Sequence, residues 1–269
     1  MRKDFYEQLD RLYTTQPKEV EVFLQETLAQ CRREQDSEGF IAASNELGSF
    51  FRGKTQYEDS LHCFQEALEC MESLGLADST PYLTALMNRA GTLRLAGRAE
   101  EAVSDFLRVL ALLKGDTGDI PYIRASTLNN LGLAYQDLGD LDKAEAYAMQ
   151  ALEIIRTLPG MEAEIASSGN NLASLCLRRG RLDEAERWLR EAMVYYESPA
   201  GEHDPHFANA YATLAALHRR QNRLEEALEC YKQAASAVER FFGKNENYNA
   251  VLRDAAAVSR ALGREEKIL

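Results

Sequence analysis

Residues 130–144 read Asn130-Leu131-Gly132-Leu133-Ala134-Tyr135-Gln136-Asp137-Leu138-Gly139-Asp140-Leu141-Asp142-Lys143-Ala144: the end of one helix, a break, and the start of a second. Upstream of the break, Leu128, Leu131, Ala134, Tyr135 and Leu138 recur close to the 3.6 period, which predicts a helix from Tyr122 to Leu138. Gly139 stops it, because glycine takes the left-handed conformation at a helix end without steric cost. Asp140 offers a cap to a second helix, Leu141 to Thr157. The stretch is therefore an antiparallel helical hairpin.

The hairpin recurs along the chain. Small residues stand at 48, 90, 132, 173, 215 and 256, in steps of 42, 42, 41, 42 and 41. A second small residue follows at Ser60, Ala102, Ala144, Ala185 and Ala227, and a third apolar one at Ala67, Val109, Ala151, Ala192 and Ala234. The break recurs at Gly97, Gly180, Asn222 and Gly263, with Asn as the usual substitute for Gly at positive φ. Small residues let two backbones approach where the helices cross, as with Gly132 beside Ala144 and Ala151. Phe51, Phe64, Phe106, Tyr135, Leu189 and Tyr231 fill the remaining core. Pro81, Pro121, Pro159, Pro199 and Pro205 mark the joints between repeats. A repeat of this length implies a solenoid of stacked units, an architecture suited to binding proteins more than to catalysis.

This arithmetic divides a single solenoid domain into three parts. Residues 1–37 form an N-terminal capping hairpin, with helices at 3–14 and 17–34 and with Leu9, Leu12 and Tyr13 facing Val20, Phe23, Leu24 and Leu28. Residues 38–245 hold five repeats, and 246–269 supply a C-terminal capping helix whose face is Val251, Leu252, Ala255 and Val258.

Composition sets further bounds. Of 269 residues, 28% are charged and 45% hydrophobic, an ordinary soluble balance. No apolar run is long enough for a membrane span or a signal peptide, so the expected location is cytoplasmic. A net charge of −12 argues against nucleic-acid binding, which needs basic surface. The five cysteines (Cys31, Cys63, Cys70, Cys176 and Cys230) contain no CxxC pair and read as reduced packing residues.

The Asn-Leu-Gly-x-x-Tyr stretch at 130–135, followed by Leu-Gly-Asp-Leu-Asp-Lys-Ala at 138–144, resembles a tetratricopeptide repeat (TPR). The long repeat and the joint Gly201-Glu202-His203-Asp204-Pro205-His206-Phe207-Ala208 resemble the subclass found in kinesin light chains. The resemblance covers 38–262 and implies an all-α, right-handed superhelical solenoid of helix-turn-helix repeats. A coiled coil for a motor heavy chain is lacking, as is a helix-turn-helix head, so neither of those roles is carried over.

In that family the first helix of each repeat lines a concave groove, and residues at the Asn stretch face inward. Carried onto this chain, the inward set is Asn45, Asn88, Asn129, Asn130, Asn170 and Asn171. Each carboxamide offers a donor and an acceptor to an extended peptide main chain. The alternative is that they tie neighbouring helices together. Further along the same helices come Arg52, Arg94, Arg178, Arg219 and Arg220, suited to an acidic segment or a C-terminal carboxylate. The plainer account has them meeting the helix dipole and pairing with neighbouring acids. Gln136 and Asp137 interrupt the series and place an acidic spot amid it.

Glu100, Glu101, Glu145, Glu184, Glu186, Glu225, Glu226 and Glu229 on the second helices read as a solvated face. His203-Asp204-Pro205-His206 is a poor metal scaffold, and no nucleotide, zinc-protease or hydrolase motif occurs. The expectation is a non-enzymatic adaptor without cofactor or metal, monomeric, whose groove captures a peptide or helix of a partner protein. A sensor, in which a signalling peptide or small ligand alters the superhelix, is the alternative. Self-association through the solenoid ends is a further one.

Overall fold

The computed structural model describes residues 2–114 and 118–264. Met1 and residues 265–269, the tail of the expected C-terminal cap, lie outside the described residues. Within them the chain is all-α, a solenoid of helix-turn-helix repeats without a strand. The helices are α1 (Arg2–Thr15), α2 (Val20–Glu34), α3 (Ser37–Gly53), α4 (Tyr57–Ser73), α5 (Thr80–Leu95), α6 (Ala99–Leu112), α7 (Ile120–Asp137), α8 (Leu141–Ile155), α9 (Glu162–Arg178), α10 (Leu182–Tyr196), α11 (Phe207–Arg220), α12 (Leu224–Phe242) and α13 (Glu246–Ala261). The joint before α11 is a single 3₁₀ turn, Gly201–His203.

Local chemistry places the boundaries. The Asp36 side chain accepts from the Gly39 N–H at 3.0 Å and caps α3, and Asn245 caps α13 in the same way at 3.0 Å from the Tyr248 N–H. Pro81 and Pro121 sit inside the first turns of α5 and α7, where a missing N–H costs nothing. The expected breaks all have positive φ: Gly97 at 77°, Gly139 at 81°, Gly180 at 74°, Asn222 at 60° and Gly263 at 71°. The first repeat makes the same turn with Thr55, at φ 61°, a position that composition does not flag.

The chain divides into two units, residues 1–140 and 141–269. In the first, α1 to α7 pack in sequence order, and α3 also meets α5, as α5 meets α7. Phe5, Leu9 and Leu12 of α1 join Val20, Leu24 and Leu28 of α2 and Leu47 and Phe51 of α3 in one core. Tyr13, expected in that core, is 45% exposed, and α2 starts at Val20 because Pro17–Glu19 form the turn. Where α3 crosses α4, a Cβ on Gly48 would lie 2.9 Å from the buried Phe64 ring. The Ser60 hydroxyl donates to the Gly48 carbonyl across the same crossing, at 2.7 Å. Tyr135, expected as core, is only half-buried.

In the second unit α8 to α13 likewise pack in order, and α9 also meets α11. Ala173, Ala185 and Ala192 are buried in one hairpin, and Ala215, Ala227 and Ala234 in the next. Ala256 carries the same small-residue position into α13 but is half-buried, because no described second helix follows to cover it.

Candidate functional site

The repeat steps put Glu46, Asn88, Asn130, Asn171, Thr213 and Asp254 at one position of successive first helices, with Asn45, Asn129 and Asn170 one residue earlier. Asn45 on α3 is half-buried, and its side-chain carbonyl is buried without a hydrogen-bond partner. Asn170 on α9 is 8% exposed, and its side-chain carbonyl is in the same unmet state. Asn130 on α7 spends its amide on the Ser126 carbonyl one turn back, at 2.9 Å. Asn129 and Asn171 are half-buried, and each is engaged within the fold. Glu46 and Asp254 put carboxylates at the Asn88 position of α3 and α13, in register with the asparagines by the repeat step. Burial, with Asp10 nearby, raises the Glu46 pKa.

Three of the arginines bridge neighbouring first helices. Arg52 of α3 reaches Asn88 of α5, its guanidinium 3.3 Å from the side-chain carbonyl and 3.4 Å from the main-chain carbonyl. Burial lowers the Arg52 pKa, and the Phe64 ring lies 6.0 Å from the guanidinium. Arg94 of α5 pairs with Asp137 of α7 at 3.0 Å, so the expected acidic spot is neutralised within its own unit. Arg219 of α11 pairs with Asp254 of α13 at 3.7 Å. Arg178 and Gln136, exposed and half-buried, have partners of their own. The first-helix face thus carries cations already held by neighbours and carboxamides that are in part unmet.

On the second helices Glu100, Glu101, Glu225, Glu226 and Glu229 are exposed, as expected, while Glu145, Glu184 and Glu186 are half-buried, and several of these acids are paired. Both Glu145 oxygens on α8 accept from Arg181 at 2.7 Å, and Arg181 also reaches Glu184 at 3.1 Å. Arg98 binds Glu101 through two bonds, of 2.6 and 2.8 Å. Arg264 binds Glu225 in the same way, both bonds 2.8 Å. Glu145, Cys176 and Glu184 bring their ligand atoms within 4.8 Å of one another. The carboxylates there are claimed by Arg179 and Arg181, and burial holds the Cys176 thiol protonated. The arrangement is an arginine clamp rather than a cation site. In the joint, Asp204 accepts from the Tyr195 hydroxyl at 3.1 Å and the His206 N–H at 2.7 Å, which is turn chemistry. No helix among the described residues is long and apolar enough to cross a membrane.

The family model described as MalT-like TPR region matches residues 84–266, and a tetratricopeptide repeat model matches 40–115. The RxLR effector protein SFI4 of Phytophthora infestans is 22% identical over 216 residues, 79% of this chain and 63% of that protein. The chain therefore spans less than two thirds of that relative's length. Among solved structures, the TPR-like repeats of a kinesin light chain from Podosopora anserina share 17% identity at a TM-score of 0.58, over 74% of this chain and 95% of that one. The apo form of the quorum sensor NprR from B. thuringiensis shares 16% identity at 0.58, over 96% and 83%. At such identities the likeness is one of fold.

Proposed function

We propose that this chain, which belongs to the MalT-like TPR family, is a protein-interaction adaptor whose first-helix face receives an extended segment of a partner protein. The observation that supports the reading is the recurrence of carboxamides at one or the next position of successive first helices: Asn45, Asn88, Asn129, Asn130, Asn170 and Asn171. The arginines contribute by exchange: Arg52, Arg94 and Arg219 hold protein acceptors that a ligand carboxylate could replace. An acidic segment or a chain terminus is therefore the preferred ligand.

The test is an affinity capture from native extract, read by mass spectrometry. Wild type is set beside a variant with Asn45, Asn88, Asn130, Asn170 and Asn171 changed to Ala, matched for helicity and melting. Proteins retained by wild type alone support the reading; equal retention by both variants sinks it.

A second reading is a sensor, favoured by the same bridges. Arg52–Asn88, Arg94–Asp137 and Arg219–Asp254 each join successive first helices, so a ligand that captures the arginine would loosen the stack. Solution scattering with and without the captured partner separates the two, since only the sensor changes its radius of gyration.

A further inference from the structure

In the first unit a carboxylate and an aromatic ring enclose one of the chain's own arginines. Glu72, at the end of α4, accepts from the Tyr82 hydroxyl at 2.6 Å and from Arg108 of α6 at 3.1 Å. The Arg108 guanidinium lies over the Tyr82 ring, 5.5 Å from its centroid. Glu72 has its pKa lowered by these partners, the tyrosine hydroxyl first. The cage is therefore acid, aromatic and guanidinium, each part engaged.

Three repeat steps onward (42, 42 and 41, or 125 residues) the same positions are Glu197, Phe207 and Gln233. Acid and ring are kept; the arginine is not. A cavity of about 520 Å³ lies there, lined by these three with Tyr211, Glu202 and Glu229 among others. The Phe207 and Tyr211 rings lie tilted by 31° with centroids 4.4 Å apart. None of the three glutamates has an ion-pair partner among the described residues, and Glu229 accepts from the Gln233 amide at 3.2 Å. Arg240, at the edge, donates instead to the Glu202 main-chain carbonyl and lies over Phe241. The Tyr211 hydroxyl has its pKa raised, by burial first and then by Glu197, Cys230 and Glu202.

We infer that this cleft, between α10 and α12 and floored by the first turn of α11, binds an arginine side chain of a partner protein. A guanidinium pairs a carboxylate with two parallel N–H groups and lies flat on an aromatic face, the two contacts that Arg108 makes in the first unit. An ammonium is a more hydrated point charge and gains less from the ring pair. The surface is separate from the first-helix face, so it adds a second, basic-segment contact to the adaptor.

The probe is acetyl-Arg-Arg-amide, titrated at low salt into the full chain and followed by NMR of the ring protons of Phe207 and Tyr211. Saturable shifts are expected. Glu197→Gln should weaken binding about tenfold by removing the charge-assisted pair. Gln233→Arg should abolish it while leaving the fold intact, because the new side chain occupies the cleft as Arg108 does. The Asn-to-Ala variant of the first-helix face should bind the probe as wild type does, which keeps the two surfaces distinguishable. Shifts that never saturate, or that survive Gln233→Arg, overturn the inference. Equal or tighter binding of spermidine overturns the assignment to a protein side chain.

Discussion

Thr55 is a β-branched residue at φ 61°, where the other repeats use Gly or Asn. Its N–H donates to the Arg52 carbonyl at 3.0 Å and the next N–H to the Phe51 carbonyl at 2.9 Å, so the helix end imposes this conformation on whatever residue stands there. A branched side chain at that φ stores on the order of 1 kcal/mol or more. Thr55→Gly should therefore raise stability by roughly 0.5 kcal/mol or more, once the entropy glycine adds to the unfolded chain is subtracted, as read from urea midpoints. Cys63 and Cys230 offer a second residue-scale test. Burial pushes both thiols up to about 11 from an ordinary value of 9. The folded state favours their neutral form, so their contribution is complete below pH 9 and is lost as pH rises from 9 to 11. A Cys63→Ala, Cys230→Ala variant should lose stability less steeply than wild type across that window. A parallel loss in both proteins would contradict the assignment.

At the scale of the element, the hairpin of α3 and α4 is held by close approach at its crossing. In the pair α3 and α4 the contact is Gly48 on Phe64, with Ser60 bonded to the Gly48 carbonyl. Gly48→Ala should cost about 1–3 kcal/mol, because a fully buried ring has nowhere to move. Adding Phe64→Leu should recover part of that loss, and a double-mutant cycle in chemical denaturation measures the coupling. Independent losses would show that the ring is not the obstacle. The ion pair Arg89–Asp105 acts at the same scale, tying α5 to α6 through two bonds of 2.8 and 2.7 Å, with Gln65 of α4 as a third partner. A first helix is thereby joined to the second helices on both sides of it.

At the scale of the whole molecule, order along the chain is order in the stack within each unit, where successive helices meet. Stability in such a chain is close to a sum of nearest-neighbour terms, and an end helix has one neighbour instead of two. Hydrogen exchange should therefore be faster in α1 than in α4 within the first unit, and faster in α13 than in α11 within the second. Uniform protection across all helices would show cooperativity beyond nearest neighbours.

The sequence by itself determined the hairpins, their breaks and the step between them. These depend on local quantities: which residues tolerate positive φ, and which spacing puts apolar side chains on one face. The left-handed turns at Gly97, Gly139, Gly180, Asn222 and Gly263 and the buried small residues were legible for that reason. So was the register of the asparagines, though not what they touch. Only the tertiary structure decided that Arg52 takes Asn88, that Arg94 cancels Asp137, and that Glu145 lies under Arg181 rather than in water. Those partners are 36 to 43 residues apart, on neighbouring helices, and which side chain reaches which depends on how the helices pack. The cleft beside Gln233 belongs to the same class. An absent arginine becomes legible only once Arg108 is seen lying between Glu72 and Tyr82.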